Sequence, residues 1–310
     1  MDFKKLTKLA GDASSRNFYR DKKKKYIVVL SKKEKKINLL IYAAINKMFS
    51  TENILAPKLI SENYKKNYII LEDLGNMTGL QFYRKFNIKN YIKLFKILKK
   101  FRSIKKRKLL TFLNTTHNIK NYSNRELLRE AKLFSDWYLP VKIKKKTKNI
   151  KIIYLKIVKK LIFNLLLKNK IFVHRDFHIS NIMIKKKKVY VIDSQDSVYG
   201  NEMYDLASLI DDVRIKVTLK NREKIFDKFI STFKKKNLDN FRNDFEILSV
   251  LRNLKIIGIF MRLSIRDNKH KYLKMIPYAW KLISQRTKNN DKFSDLNNFF
   301  NNYFSKEIKN

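Results

Sequence analysis

The chain has 310 residues, of which 72 are lysine or arginine and 27 are aspartate or glutamate, so its formal net charge is +45. Its hydrophobic content of 44%, with 22 Phe and 16 Tyr, is ample for a folded core and excludes a disordered chain. The chain contains no cysteine, which excludes disulfides and thiolate metal sites.

The positive charge does not by itself indicate a nucleic-acid partner. Lys, Ile, Asn, Phe and Tyr are enriched together, while Gly and Pro number only 5 and 3. The enriched residues share AT-rich codons, so a biased genome explains the lysines as well as a ligand does. Lysine also far outnumbers arginine, whereas phosphate and base recognition favours arginine. We therefore expect no specific nucleic-acid partner.

The sequence also favours a cytoplasmic location. The N-terminal residues lack the apolar segment of a secretory signal. No uncharged apolar stretch approaches the 18 or so residues of a membrane span. We expect a protein that does not contact a membrane; the sequence leaves the oligomeric state open, and a monomer is favoured.

Residues 1–72 predict a small β-rich lobe. The stretches RNFYR and YIVVL, within 16–30, have the composition of two strands around a charged turn. Residues 34–48 predict a helix with a polar start and an apolar middle. The segment 53–75 predicts a strand after Pro57, a polar turn and a second strand that ends near Glu72.

Residues 73–310 predict a larger, mainly helical lobe, so the expected fold class is α+β with two lobes. One predicted helix carries five apolar residues on a single face: Tyr91, Leu94, Phe95, Leu98 and Phe101. The next opens with a capping-box signature, Ser123 and Glu126. Residues 141–169 predict a lysine-studded helix, whose first part 141–149 is either helix or linker.

The segment from Ile171 to Asp193 predicts a strand followed by a tight hairpin. Apolar residues run or alternate on both sides of the lysines at 185–188. Those lysines are expected to form a solvated turn. The segment that follows is acidic, and no lysine or arginine occurs in residues 189–213.

The strongest chemical pattern surrounds this hairpin. His174, Arg175 and Asp176 are followed at the fifth position by Asn181 and, twelve residues later, by Asp193. This spacing fits the H-R-D-x-x-x-x-N loop of kinases with its later metal-binding acid. Asp176 would accept the proton of an attacking hydroxyl, while the oxygens of Asn181 and Asp193 would hold Mg²⁺. The alternative is a capped loop with a structural aspartate.

The chain resembles the aminoglycoside phosphotransferase and choline kinase-like branch of the protein-kinase fold. Within it, the chain is most similar to the bacterial kinases that phosphorylate the anomeric hydroxyl of N-acetylmuramate and N-acetylglucosamine. Four blocks carry the resemblance: residues 9–20, 69–75, 122–139 and 174–212. The resemblance implies ATP and Mg²⁺ as cofactors, a small sugar as substrate, and a role in cell-wall recycling. Beyond residue 214 only a helical character is evident.

The resemblance also implies a nucleotide site in the first lobe. The turn GDASSR would cover the ATP phosphates with Ser14, Ser15 and Arg16, although the same residues also suit an ordinary turn between strands. The segment LEDLG would meet adenine near Glu72 and Leu74. By the same resemblance, Asp176 is the catalytic base, and the metal ligands are those named above.

The acceptor site is less well defined, and three residues are nominated for it. Glu130 lies in a predicted helix, and its alternative is an exposed helix charge. Gln195 and Asp196 directly follow the proposed metal ligand. We expect these three side chains to bind the sugar.

The sequence departs from the family pattern at two places. Relatives usually carry an aromatic residue where this chain has Ser194. The lysine expected on the third strand is absent from YIVVL, and Lys32 and Lys33 come late; Arg16 and Arg20 are the candidates to replace it. These departures leave room for altered activity.

Other functions stay open from sequence alone. The acceptor is alternatively another sugar, choline, an aminoglycoside or a protein hydroxyl. A protein kinase is disfavoured by the long segment before the H-R-D block and by the absence of an A-P-E motif. Two alternatives of another class are binding modules. One is a kinase fold without activity, which the intact Asp176, Asn181 and Asp193 disfavour. The other is a basic nucleic-acid binder.

Overall fold

The computed structural model divides into two compact units. One comprises Met1–Lys120 with His174–Tyr199, and the other comprises Asn121–Val173 with Gly200–Asn310. The lobe boundary expected after residue 72 stays a prediction. The structure describes residues 3–9, 16–21, 23–143, 147–233 and 238–308.

The described residues form strands and α-helices in the following order. The strands are β1 (Thr7–Leu9), β2 (Asn17–Asp21), β3 (Tyr26–Leu30), β4 (Leu59–Asn63), β5 (Tyr68–Glu72), β6 (Lys108–Leu110), β7 (Thr116–Asn118), β8 (Ile171–Val173), β9 (Ile182–Lys185), β10 (Lys188–Val191) and β11 (Val198–Gly200). The helices are α1 (Ile37–Thr51), α2 (Gly79–Phe82), α3 (Ile88–Ser103), α4 (Asn124–Leu133), α5 (Leu139–Lys142), α6 (Lys148–Phe163), α7 (Met203–Ile210), α8 (Leu219–Ile230), α9 (Leu238–Asp267), α10 (Ile276–Thr287), α11 (Ser294–Tyr303) and α12 (Ser305–Ile308).

The first unit is built on an antiparallel sheet of five strands in the order β1-β2-β3-β5-β4. The predicted strands at 16–30 and the strand ending at Glu72 are confirmed. Val28 and Val29, at the centre of β3, are fully buried. Because β-branched side chains pack well on a pleated surface, this apolar run occupies the centre of the sheet.

Helix α1 packs its apolar face on this sheet. Leu39 and Tyr42 from the helix join Val29, Ile69 and Leu71 from the strands in one buried cluster. The helix was predicted over 34–48 and begins at Ile37, after a short 3₁₀ turn. Leu39 and Tyr42 are three residues apart, a spacing that places both on one face of the helix.

Helix α3 confirms the apolar face that its sequence predicts. All five predicted residues are buried, and Ile97 joins them. Asn87 caps the helix by accepting a hydrogen bond from the backbone N–H of Lys89, 2.9 Å away. The face of α3 thus extends the core of the first unit beyond the sheet.

The predicted hairpin is formed by β9 and β10. Lys188 pairs with Lys185 and Val191 with Ile182, so Lys186 and Lys187 make the two-residue turn. Both turn residues have positive φ, 49° and 59°. Two consecutive residues with positive φ are the geometry that suits the right-handed twist of a hairpin.

The second unit is mainly helical, as predicted. Trp280 is buried among aromatic rings, and its Nε1 donates a hydrogen bond to the Tyr138 hydroxyl 3.0 Å away. A Cβ at Gly258 in α9 would lie 2.3 Å from the backbone carbon of Leu133. Glycine therefore permits the close approach of α9 to α4. Of the helix predicted over 141–169, α6 forms only Lys148–Phe163.

A buried ion cluster joins the helices of the second unit. The carboxylate of Asp211, which is fully buried, accepts hydrogen bonds from Arg222 and Arg286, with N–O distances of 3.1 and 2.9 Å. It also accepts one from Ser249. Burial opposes ionisation of Asp211, but the arginines outweigh it and hold the pKa of the carboxyl below its ordinary value.

Among the described residues, no helix combines the length and the apolar character that crossing a membrane requires.

Replacement of Arg286 by methionine should destabilise the protein strongly. Removal of one partner from a buried ion pair costs about 3–5 kcal/mol, because the other charge stays buried. The free energy of unfolding in urea at pH 7 measures the effect. Arg266→Met is the matched control, because Arg266 forms an exposed pair with its neighbour Asp267. An equal, negligible effect of both substitutions would contradict a structural role for the buried cluster.

Candidate active site

The loop that precedes β9 is fixed by a buried histidine. His174 is fully buried, and its Nε2 donates a hydrogen bond to the carbonyl of Ile192, 3.1 Å away. Its ring stacks on Phe101, with ring centroids 6.3 Å apart. Burial lowers the pKa of His174, although Asp176 and Asp193 act in the opposite direction. The ring therefore ties the loop to Ile192, which lies between β10 and Asp193.

The loop then closes on itself around Asp176. The backbone carbonyl of Asp176 accepts a hydrogen bond from Nδ2 of Asn181, 3.0 Å away. It also accepts one from the backbone N–H of His178, 2.9 Å away. Because the amide nitrogen of Asn181 is used in this way, its oxygen is the atom left for a cation. Arg175 has a φ of 74°, a conformation that non-glycine residues seldom adopt.

The hairpin returns Asp193 to Asn181. The backbone N–H of Ile192 donates to the carbonyl of Asn181, at 3.0 Å. Asp193 follows immediately and has left-handed backbone angles, φ 69° and ψ 39°. The two predicted metal ligands are therefore brought together by strand pairing, as the spacing suggested.

A cavity of about 410 Å³ opens beside this hairpin within the first unit. Small-molecule sites commonly have this size. Ser14 and Ser15, which were also predicted to bind nucleotide, lie outside the described residues. Five other predicted residues line the cavity: Arg16, Glu72, Leu74, Asn181 and Asp193.

Arg16 is a cation that contacts the proposed metal ligand. It is 7% exposed, and its guanidinium forms an ion pair with the carboxylate of Asp193. Its Nη1 donates to Oε1 of Gln195, 2.9 Å away, and Gln195 in turn donates to Asp196, 3.0 Å away. The predicted acceptor residues Gln195 and Asp196 are thereby connected to Arg16. The guanidinium also lies 5.4 Å from the centre of the Tyr42 ring.

Arg20, the other candidate for the missing lysine, is used differently. Its guanidinium holds both oxygens of Asp73, with N–O distances of 2.8 and 3.0 Å, and donates to the carbonyl of Gly75 at 2.8 Å. Arg20 therefore fixes the chain that leaves β5. Of the two arginines, Arg16 is the one that faces Asp193.

Lys185 was predicted to be solvated and is instead bound. Its Nζ lies 2.6 Å from Oε1 of Glu72 and 2.9 Å from the carbonyl of Asp73. The prediction was wrong because Lys185 belongs to β9, and only its neighbours Lys186 and Lys187 form the turn. The hairpin thus contacts the end of β5, as Arg20 does from β2.

Ser194 replaces the expected aromatic residue with a hydrogen bond. It is fully buried, and its hydroxyl donates to Oδ1 of Asn46 in α1, 2.9 Å away. Sequence reasoning did not nominate Asn46. Its only signal is a polar residue within the apolar run of the helix.

Glu130 belongs to the second unit and is not an exposed helix charge. It is 7% exposed, and Oε2 accepts hydrogen bonds from the hydroxyls of Tyr122 and Tyr204. Lys255 lies 2.9 Å from the same oxygen. The exposed-charge alternative is therefore wrong, and a role for Glu130 in acceptor binding stays a prediction.

Solved structures of similar fold are kinases of small molecules. A choline kinase from Streptococcus pneumoniae superposes with a TM-score of 0.61, at 14% identity, over 90% of this chain and 93% of that chain. An ADP-bound aminoglycoside phosphotransferase superposes with a TM-score of 0.60, at 14% identity, over 91% and 93%. These likenesses define the fold as protein-kinase-like, in agreement with the α+β class predicted from the sequence.

Sequence comparison defines the family. The model of the phosphotransferase enzyme family matches residues 5–232, and the chain belongs to that family. It is 28% identical over 286 residues to an N-acetylmuramate/N-acetylglucosamine kinase of Neisseria meningitidis, covering 88% of this chain and 82% of the relative. A protein of the same name from Pseudomonas putida is 25% identical over 289 residues, covering 90% and 83%.

The buried His174 makes stability depend on pH. In the folded protein its pKa lies below the ordinary 6.5, so below that pH the unfolded chain binds more protons and folding is weakened as pH falls. We expect a lower free energy of unfolding at pH 5.5 than at pH 7.5, and a smaller difference in His174→Gln. Urea denaturation at both pH values measures this, and the same difference in both proteins would exclude His174 as the cause.

Proposed function

We propose that the protein is an N-acetylmuramate/N-acetylglucosamine kinase, which transfers the γ-phosphoryl group of ATP to the anomeric hydroxyl of the sugar. The observation that carries the proposal is the cavity in which Arg16, Asn181 and Asp193 meet, in a chain similar over most of its length to relatives with that name. The product would be a sugar 1-phosphate for recycling of cell-wall precursors.

The cavity would hold ATP with its adenine at the end of β5. Backbone groups near Glu72 and Leu74 would bind the base, because β5 ends at Glu72 and both residues line the cavity. Arg16 would bind phosphate oxygens, assisted by Ser14 and Ser15. Arginine suits this role because its guanidinium stays charged and offers several N–H donors in one plane.

Asn181 and Asp193 supply the donors that suit Mg²⁺. Both offer hard oxygen atoms, and Mg²⁺ usually takes only one or two protein ligands beside water and phosphate oxygens. The side-chain amide of Asn181 is oriented by its hydrogen bond to the Asp176 carbonyl, so its oxygen is the atom available to the cation. When bound, Mg²⁺ would neutralise phosphate charge.

Asp176 would act as the base. As the acceptor oxygen forms a bond to the γ-phosphorus, the bond from that phosphorus to the β–γ bridging oxygen breaks and ADP leaves. The carboxylate of Asp176 takes the proton of the acceptor hydroxyl. Glu130, Gln195 and Asp196 would orient the sugar, and most of the acceleration would come from positioning and electrostatics.

The proposal includes the surroundings of the enzyme. We place it in the cytoplasm, where ATP is available, as a monomer that needs neither a membrane nor a nucleic acid. The choline kinase and the aminoglycoside phosphotransferase share the fold, but each is only 14% identical to this chain. Fold alone does not define an acceptor, so choline and aminoglycosides are not proposed as acceptors.

Replacement of Arg16 by methionine should weaken binding of ADP. The loss should be about 10-fold or more, because hydrogen bonds to charged groups contribute about 1.5–3 kcal/mol. Isothermal titration calorimetry with ADP, with and without Mg²⁺, measures it. Lys24→Met, which removes the same charge from an exposed turn, is the control. Equal ADP affinities for the two variants would remove Arg16 from the phosphate site.

Replacement of Asp176 by asparagine should abolish most turnover and leave nucleotide binding intact. The expected loss is about 10²–10⁴-fold, the usual contribution of a general base. Formation of sugar 1-phosphate from ATP and N-acetylmuramate or N-acetylglucosamine is followed by ³¹P NMR. Asp295→Asn, an exposed acid at the start of α11, is the control. Unchanged turnover in Asp176→Asn would contradict its role as the base.

The acceptor is tested by the same spectra of the unaltered protein. A phosphate at the anomeric oxygen, seen with either sugar, is the expected result. If ATP binds but neither sugar is phosphorylated, the proposed acceptor is wrong while the phosphotransferase assignment stands.

A further inference from the structure

A buried hydrogen bond connects α1 to the residue after Asp193. The hydroxyl of Ser194 donates to Oδ1 of Asn46, 2.9 Å away, and both side chains are buried, at 0% and 5% exposure. Neither residue lines the cavity that contains Asn181 and Asp193. Any influence of this pair on a ligand of the cavity must therefore act through residues that do line it, such as Asp193.

The direction of this hydrogen bond is fixed by a second one. Nδ2 of Asn46 donates to the carbonyl of Pro57, 3.1 Å away. With its nitrogen used as a donor, the amide presents its oxygen to Ser194, and the hydroxyl must donate. Asn46 thus bridges the turn after Asp193 and the chain at Pro57, which itself lines the cavity.

The turn after Asp193 needs such a support. Asp193 has a φ of 69°, and a non-glycine residue keeps this conformation only where its surroundings enforce it. The carbonyl of Ser194 accepts hydrogen bonds from the backbone N–H and the hydroxyl of Ser197, at 3.1 and 2.7 Å. These bonds close the turn, and the Ser194 hydroxyl then attaches the closed turn to α1.

A second residue of α1 lies at the same place. Tyr42, one turn before Asn46, is buried beside the backbone of Asp193 and lines the cavity. Residues four positions apart project from the same face of a helix. Asp193 and Ser194 are therefore both held against one face of α1.

We propose that Asn46 and Ser194 are positioning residues for a divalent cation: their hydrogen bond holds the turn so that the carboxylate of Asp193 faces the cavity beside Asn181. The inference rests on the proposed function only in assigning Asn181 and Asp193 as cation ligands. It adds two residues that touch neither nucleotide nor sugar. Loss of the hydrogen-bonded pair should weaken binding of the cation and leave binding of the metal-free nucleotide unchanged.

The test is binding of Mn²⁺ in the presence of ADP, measured by electron paramagnetic resonance on the full chain. Ser194→Ala should weaken Mn²⁺ binding about 10-fold or more, the usual effect of losing a support behind a metal ligand. Ser194→Thr, which keeps the hydroxyl, should restore the affinity. Ser61→Ala, which removes an exposed hydroxyl from β4 of the same unit, is the matched control.

Three further measurements distinguish positioning from general damage. Affinity for ADP without metal should be the same in Ser194→Ala and the unaltered protein. Ser194→Cys keeps the size of the side chain with a weaker donor and should show the same selective loss if Ser194→Ala does not fold. Asn46→Ala combined with Ser194→Ala should be no weaker than the worse single variant, because the two residues act as one pair.

The outcomes separate this inference from the proposed function. Unchanged Mn²⁺ affinity in Ser194→Ala, or equal losses of Mn²⁺ and metal-free ADP, would overturn the positioning role alone. If the unaltered protein binds ADP but no Mn²⁺, the metal site of the proposed function fails, and this inference fails with it. Normal metal binding without sugar phosphorylation would overturn the acceptor and leave the positioning role standing.

Discussion

The hydrogen bond from the Ile192 N–H to the Asn181 carbonyl, 3.0 Å long, is the contact on which the candidate site depends. It continues the β9–β10 pairing by one step and places the residue before Asp193 against Asn181. These two partners are eleven positions apart in sequence, and the hairpin brings them together. The same strand end accepts the bond from His174, so the loop at Asp176 and the strand end are fixed together.

Charges supplied from distant segments complete the arrangement. Residues 189–213 lack lysine and arginine, yet Asp193 pairs with Arg16 and Asp211 with Arg222 and Arg286. The absence of local basic residues thus does not leave these acids without cations. At Asp193 we give this arrangement a functional meaning. A single arginine can leave the carboxylate and bind a phosphate instead, whereas adjacent lysines would compete with a metal ion for the carboxylate at all times.

The local parts of the structure could be predicted from the sequence, and the long-range pairs could not. The spacing of Asp176, Asn181 and Asp193 requires only a hairpin, and apolar alternation around a turn is a local signal. The burial of Ser194 against Asn46 depends on how α1 packs, and 148 residues separate the two. No periodicity reports such a contact.

Two residues show why side-chain environment was harder to predict than backbone structure. Lys185 has the same neighbours in sequence as the turn lysines, but strand pairing turns it toward Glu72. Glu130 lies on a helix whose sequence also suits an exposed charge, and only the packed tyrosines decide its burial. Composition defines neither environment.

The end of β5 is held by two ion pairs that come from different elements. Arg20 holds Asp73 from the sheet, and Lys185 holds Glu72 from the hairpin. Each support pairs a cation with a carboxylate that is itself partly buried, so the attraction is less screened than at the surface. The adenine end and the phosphate end of the proposed nucleotide site are thus both attached to the β9–β10 hairpin.

A crystal structure with Mg²⁺ and a non-hydrolysable ATP analogue tests this account most directly. The account predicts a cation bound to the oxygens of Asn181 and Asp193 at about 2.1 Å. It also predicts Arg16 on the phosphates and the Ser194–Asn46 hydrogen bond unchanged. A nucleotide bound outside the cavity, or a cation that does not contact Asp193, would contradict it.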